Sequence, residues 1–149
     1  MEFRLDIGKK SWRLIFDGSK RCKKNLTNIP ERGNISMNDI TPIKILGVPV
    51  HPYTMEGAVN KIIERVLQSK KTLVVTANAE IIMMGQSDTE YMKILNKAAL
   101  VLPDGAGTVW AGRKLGYEVP ERVAGYDLFL NLMSEAAHKK FKVFFFGAA

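Results

Sequence analysis

Two polar clusters stand where apolar runs end, and a third polar group lies in a loop. Asp104 follows Leu100-Val101-Leu102 and is held between Pro103 and Gly105. A carboxylate on so stiff a turn keeps one position, which a general base needs, and it can equally cap the helix that follows. Thr76 and Asn78 close the β-branched run at 72–76. They offer a hydroxyl and an amide to a ligand, or an N-cap and its neighbour to a helix. Arg122 lies in the polar segment Pro120-Glu121-Arg122-Val123-Ala124-Gly125. Its guanidinium suits a diphosphate, which it can engage through two parallel N–H groups, or an ion pair with Glu121 or Glu118. A fourth turn, at Gly147, follows the last apolar run. In parallel α/β sheets ligands bind beyond the carboxyl ends of the strands, where all of these groups are expected.

Other chemistries find less support. Gly105-Ala106-Gly107 begins like a dinucleotide fingerprint, but Trp110 occupies the third glycine position, which disfavours a nicotinamide oxidoreductase. There is no Gly-rich Lys-Ser/Thr phosphate loop and no Asp-x-Asp pair. His51 and His138 stand apart from other metal-ligating side chains, so no metal site and no cofactor are expected.

The elements that must position these groups are legible from periodicity. Residues 43–50 read as a short strand with Pro49 favouring an edge. Thr54 is a good N-cap, and Met55, Ala58, Val59, Ile62, Ile63, Val66 and Leu67 form one apolar stripe of a helix. The run at 72–76 predicts a strand covered on both faces. Asn78 opens a helix to about Gly85, and Ser87-x-x-Glu90 is a capping box for another. A strand at 100–102, a helix at 106–115, a polar loop at 116–125 and a helix bearing Phe129, Leu132, Met133, Ala136 and Ala137 follow. Residues 142–146 predict a final buried strand. This alternation predicts an α/β, Rossmann-like domain, its sheet largely parallel and flanked by helices, with right-handed crossovers. Stopping after a strand, it reads as a truncated version of such a fold.

Charge divides the chain. Residues 1–36 hold nine Lys or Arg against four acids, a net +5 of the total +7. They show no sustained period, and are expected to form a basic, poorly ordered segment ahead of a domain at 37–149. Met37 is an alternative start. Aromatic and basic residues interleave over 12–24, which keeps open a different reading: a non-catalytic α/β module whose basic arm binds nucleic acid. Cys22 is the sole cysteine, so no internal disulfide is possible. No run is long and apolar enough for a spanning helix, and no secretory signal is recognisable, so a cytoplasmic protein is expected.

Taken together, Thr76-Ala77-Asn78-Ala79-Glu80-Ile81, Pro103-Asp104-Gly105-Ala106-Gly107 and Pro120-Glu121-Arg122-Val123-Ala124-Gly125-Tyr126-Asp127 resemble the WecG/TagA/CpsF family of glycosyltransferases. The resemblance covers residues 44–149. It implies transfer of N-acetylmannosamine, or its uronic acid, from a UDP-sugar to polyprenyl-diphosphate-linked N-acetylglucosamine. Products of such enzymes serve teichoic acid linkage units and other surface polysaccharides. It further implies an inverting, metal-independent mechanism without cofactor. Asp104 takes the role of base toward the acceptor hydroxyl, Thr76 and Asn78 line the substrate pocket, and Arg122 stabilises the leaving diphosphate. Expected partners are the UDP-sugar, the lipid-linked acceptor, the inner face of the bacterial plasma membrane as a peripheral site, and further copies in a homo-oligomer; nucleic acid is disfavoured. Members of the family run on well past the equivalent of Ala149, so an inactive fragment is one reading of this chain.

Overall fold

The computed structural model describes the backbone of residues 2–7, 10–17 and 40–146, with side chains over 40–145. Its elements run β1 (Glu2–Ile7), β2 (Lys10–Asp17), β3 (Ile43–Ile45), β4 (Val48–Val50), α1 (Met55–Leu67) and β5 (Val74–Ala77). They continue with α2 (Ala79–Ser87), α3 (Thr89–Lys97), β6 (Leu100–Pro103), α4 (Ala106–Lys114), α5 (Gly125–His138) and β7 (Lys142–Phe146). The α/β architecture read from the sequence is therefore present.

The expected strand at 43–50 is a hairpin. Leu46 and Gly47 both take positive φ, 48° and 79°, the geometry of a primed two-residue turn, and Ile43 pairs with Val50 across it. Periodicity could not separate one strand from two so short.

The centre is the parallel pair β5–β6, with Val74 opposite Leu100 and Ala77 opposite Pro103. Both strands are continuous apolar or β-branched runs because both faces are covered. Alternate residues serve separate cores. Val74, Leu100 and Leu102 pack with Ile62 and Val66 of α1 and Leu128 and Leu132 of α5. Val75, Ala77 and Val101 pack with Ile81, Leu95 and Val109 from α2, α3 and α4, and with the β3–β4 hairpin. Burying each such side chain contributes about 1.5–3 kcal/mol, which makes these two layers the main clamp on the strand ends.

Local signals explain the helix starts. Thr54 accepts from the Gly57 amide at 3.1 Å, as expected of the α1 N-cap. Asp88, rather than Ser87, caps α3, its Oδ1 accepting from the amides of Glu90 and Tyr91. Ser87 is still the last residue of α2, so the cap falls one residue later than the capping box suggested.

Two expectations about the ends of the chain are modified. No regular element was expected in residues 1–36, yet β1 and β2 pair antiparallel there, and β2 pairs antiparallel with β7. The apolar patch at 12–16 falls within β2, where aromatic and β-branched residues suit an extended backbone. β7 is not the buried strand expected: Phe144 and Phe145 are 54% and 53% exposed. It lies against β2 rather than extending the β5–β6 pair, and the two phenylalanines, adjacent in the strand, are half-exposed on opposite faces. The basic cluster at 20–24, Cys22, Met37 and Gly147 lie outside the described residues. Among the described residues no helix is long and apolar enough to cross a membrane.

Candidate active site

Because β5 and β6 run in register, they end at the same edge, and Asn78 and Asp104 leave it side by side. The Asp104 amide donates to the Ala77 carbonyl at 3.0 Å, continuing the ladder one step past the strands. The buried Thr108 hydroxyl of α4 donates to the same carbonyl at 3.0 Å and ties the following helix to the turn. Gly105 adopts φ 91° and ψ 149°, a conformation essentially restricted to glycine, which turns the chain from β6 into α4.

The sequence left two structural uses open for the candidate side chains. Asn78 takes one of them: its Oδ1 accepts from the Ile81 amide at 2.9 Å and caps α2. Asp104 does not cap α4, whose N-cap is Gly105 and has no side-chain partner. Its Oδ2 instead accepts from the Gly125 amide at 3.1 Å, reaching across 21 residues to the first turn of α5. That helix begins after Ala124, which has no capping side chain, so Asp104 supplies the missing acceptor from another element. Oδ1 takes no hydrogen bond among the described residues and stays available to a hydroxyl.

The same contact brings the third motif to the first two. The Val123 amide donates to the Pro103 carbonyl at 2.8 Å, and Val123 is fully buried. Arg122, one residue earlier, is exposed, and among the described residues it forms no ion pair. Glu121, one of its two expected partners, is engaged elsewhere: its carboxylate accepts from the Met55 amide at the start of α1. Thr76 is 1% exposed, within β5 and opposite Leu102, so it lies beneath the strand ends rather than on the open surface.

Arg122 lines an open pocket of about 700 Å³, together with Ala106, Trp110, Arg113, Lys114 and Glu121. Three cations against one carboxylate give it a net positive lining, suited to a ligand carrying more than one negative charge. Trp110, which broke the dinucleotide fingerprint, is 65% exposed on its wall. A second opening of about 100 Å³, nearly apolar and lined by Leu46, Ile82, Met83, Thr108 and Ala111, lies along another face of α4. Among the described residues no three His, Cys, Asp or Glu gather as metal ligands would.

Sequence reading missed Thr108, the Gly125 amide and Arg113. Gly125 was visible only as the last glycine of a loop, since a backbone donor has no sequence signature beyond its position ahead of a helix. Thr108 sits at an ordinary helical position whose partner, the Ala77 carbonyl, lies 31 residues away, and Arg113 bonds the backbone carbonyls of Val119 and Pro120, which no side-chain pattern marks.

Residues 43–149 match the model of the glycosyl transferase WecG/TagA/CpsF family. The chain is 43% identical over 82 residues to an N-acetylglucosaminyldiphosphoundecaprenol N-acetyl-beta-D-mannosaminyltransferase of Bacillus spizizenii, an alignment covering 55% of this chain and 32% of the relative. It is 32% identical over 123 residues to a Staphylococcus aureus protein of the same name, covering 80% of this chain and 46% of that one. The chain thus matches less than half the length of either relative.

Proposed function

This chain belongs to the WecG/TagA/CpsF family of glycosyl transferases, and on that premise we propose that it serves transfer of N-acetylmannosamine, or its uronic acid, from a UDP-sugar to polyprenyl-diphosphate-linked N-acetylglucosamine. The mannosaminyl group and the lipid-linked acceptor follow the names of the relatives; the UDP donor follows the motif resemblance. The observation that carries the reading is the Gly125–Asp104 hydrogen bond, which brings the loop of Arg122 to a fixed carboxylate at the strand ends.

In this reading the acceptor hydroxyl oxygen attacks the anomeric carbon of the donor sugar. The bond from that carbon to the diphosphate oxygen breaks, and UDP leaves with the electron pair. Asp104 accepts the hydroxyl proton on Oδ1 while Oδ2 stays bonded to Gly125. Attack opposite the leaving group inverts the anomeric configuration. Charge gathering on the diphosphate is met by Arg122 from the cationic pocket, a preorganised electrostatic role of the kind that often dominates catalysis. With a guanidinium there, the reaction proceeds without a divalent ion. Asn78, fixed by its capping bond, faces the reacting sugar beside Asp104, and Thr76 supports that corner from beneath.

Such a protein works at the inner face of the plasma membrane, where its acceptor is anchored, in the assembly of teichoic acid linkage units or a related surface polymer. Incubation with UDP-N-acetylmannosamine and a short-chain lipid-diphosphate N-acetylglucosamine tests the reading. A disaccharide-lipid of inverted configuration with stoichiometric UDP is the expected product. UDP-sugar hydrolysis without transfer, or use of nucleic acid as the sole ligand, rejects it.

A further inference from the structure

The loop that carries Arg122 has no helix or strand of its own, yet a cation acting on a departing diphosphate must stay in place. Arg113, on α4, supplies the restraint. Its Nε and Nη2 donate to the Val119 carbonyl at 2.9 and 2.8 Å, and Nη2 also donates to the Pro120 carbonyl at 3.0 Å. Val119 is 2% exposed and packs so closely on α4 that a Cβ at Gly112 meets its Cγ2 at 2.6 Å. On the far side of Arg122, the Val123 amide is bonded to Pro103. Arg122 is therefore flanked by anchored points: the backbone at 119–120 on α4, the Glu121 side chain on the start of α1, and Val123 on the end of β6. Since α4 starts at the turn made by Asp104 and Gly105, one short rigid helix spans the interval between the carboxylate and the clamp on the loop.

We propose that Arg113 is a positioning residue that fixes the loop at 119–120 so that Arg122 meets the diphosphate. This rests on the reading of Arg122 given above. Three N–H groups on two adjacent carbonyls demand the planar fork of a guanidinium, which the three swivelling donors of an ammonium do not reproduce. Arg113 also lines the cationic pocket, so the competing role is direct contact with the ligand. The two roles differ in one measurable respect. A residue acting through Arg122 loses its effect when Arg122 is gone, whereas a direct ligand does not.

The test is a double-mutant cycle of Arg113→Ala and Arg122→Ala, read in kcat and KM for the UDP-sugar and in the thermal midpoint of each variant. Arg113→Ala is expected to lower kcat/KM by about tenfold or more in the parent, since misplacement by about 1 Å can cost 10²-fold. In the Arg122→Ala background the same change is expected to cost no more than about twofold, near the usual limit of additivity. Arg113→Lys is expected to recover little of the loss, and it carries the same cycle if the alanine variant does not fold. An undiminished loss in the Arg122→Ala background overturns the inference in favour of direct contact. A lowered thermal midpoint with unchanged kinetics overturns it in favour of a purely structural role. If Arg122→Ala alone leaves turnover unchanged, the reading of Arg122 fails and takes the inference with it, an outcome distinct from the other two.

Discussion

The Gly125 amide donates to Oδ2 of Asp104 at 3.1 Å, joining the first residue of α5 to the carboxylate at the end of β6. The bond gives Asp104 two functions. It caps α5, where the partial positive end of the helix favours a negative charge, and, in the proposed reaction, it holds the carboxylate in one orientation for the acceptor hydroxyl.

These functions are separable by Asp104→Asn. The amide oxygen can still accept from Gly125, so folding is expected to persist, while the capacity to take a proton is lost. Turnover is expected to fall by about 10² to 10⁴, the usual contribution of general-base catalysis. The thermal midpoint measured alongside should move little. Activity within a few-fold of the parent rules out Asp104 as the base. Asp104→Ala, which removes the acceptor as well, is expected to lower stability by about 0.5–2 kcal/mol through loss of the cap.

Much of this arrangement was legible in the sequence, because it rests on short-range signals. The stripe from Met55 to Leu67 predicted α1, and the run at 72–76 predicted a strand, β5, covered on both faces. The candidate groups Thr76, Asn78 and Asp104 stood out because they end the apolar runs. What could not be read was long-range pairing. Asp104 was balanced between a base and a cap for α4, and its actual partner lies in α5, beyond any local pattern. Arg122 was left between a diphosphate ligand and an ion pair with Glu121 or Glu118, and nothing local shows that Glu121 turns to the α1 terminus instead. The strand at 142–146 was expected to be buried because Val143 and three phenylalanines read as interior. Only the sheet pairing reveals that it lies against β2.

Removing the guanidinium of Arg122 should slow the chemical step. Loss of one preorganised charge donor typically costs about 10²–10³ in kcat, and Arg122→Ala is expected to fall in or near that range. Arg122→Lys should recover only part of the rate, because a point charge cannot hold two diphosphate oxygens at once. Steady-state kinetics with varied UDP-sugar decide the matter. A rise in KM with unchanged kcat assigns Arg122 to ground-state binding rather than to the leaving group.

A metal-independent reaction predicts indifference to chelators. If Arg122 meets the diphosphate charge, as proposed, and with no Asp-x-Asp pair in the sequence, excess EDTA should change the initial rate by less than about twofold, within the effect of ionic strength on exposed charges. Restoration of a chelator-suppressed rate by added magnesium or manganese disproves it.

Gly105 offers a test of how far the base depends on its turn. At φ 91° and ψ 149° a side chain is disfavoured by the backbone itself, at about 1–3 kcal/mol. Space is not the obstacle: a Cβ there finds Asn78 Cβ at 3.7 Å, ordinary van der Waals contact. Gly105→Ala therefore isolates conformational strain. The turn can relieve that strain by rotating the Asp104–Gly105 peptide, which moves the carboxylate away from the Gly125 amide and tilts the start of α4. Activity is accordingly expected to fall more steeply than stability, with kcat reduced tenfold or more for a shift of about 1 Å. The thermal midpoint should drop by only about 2–4 °C for each kcal/mol in a chain of about 150 residues. A variant that loses stability yet keeps its kcat shows that the strained turn serves the fold alone, and that the Gly125 bond by itself suffices to aim Asp104.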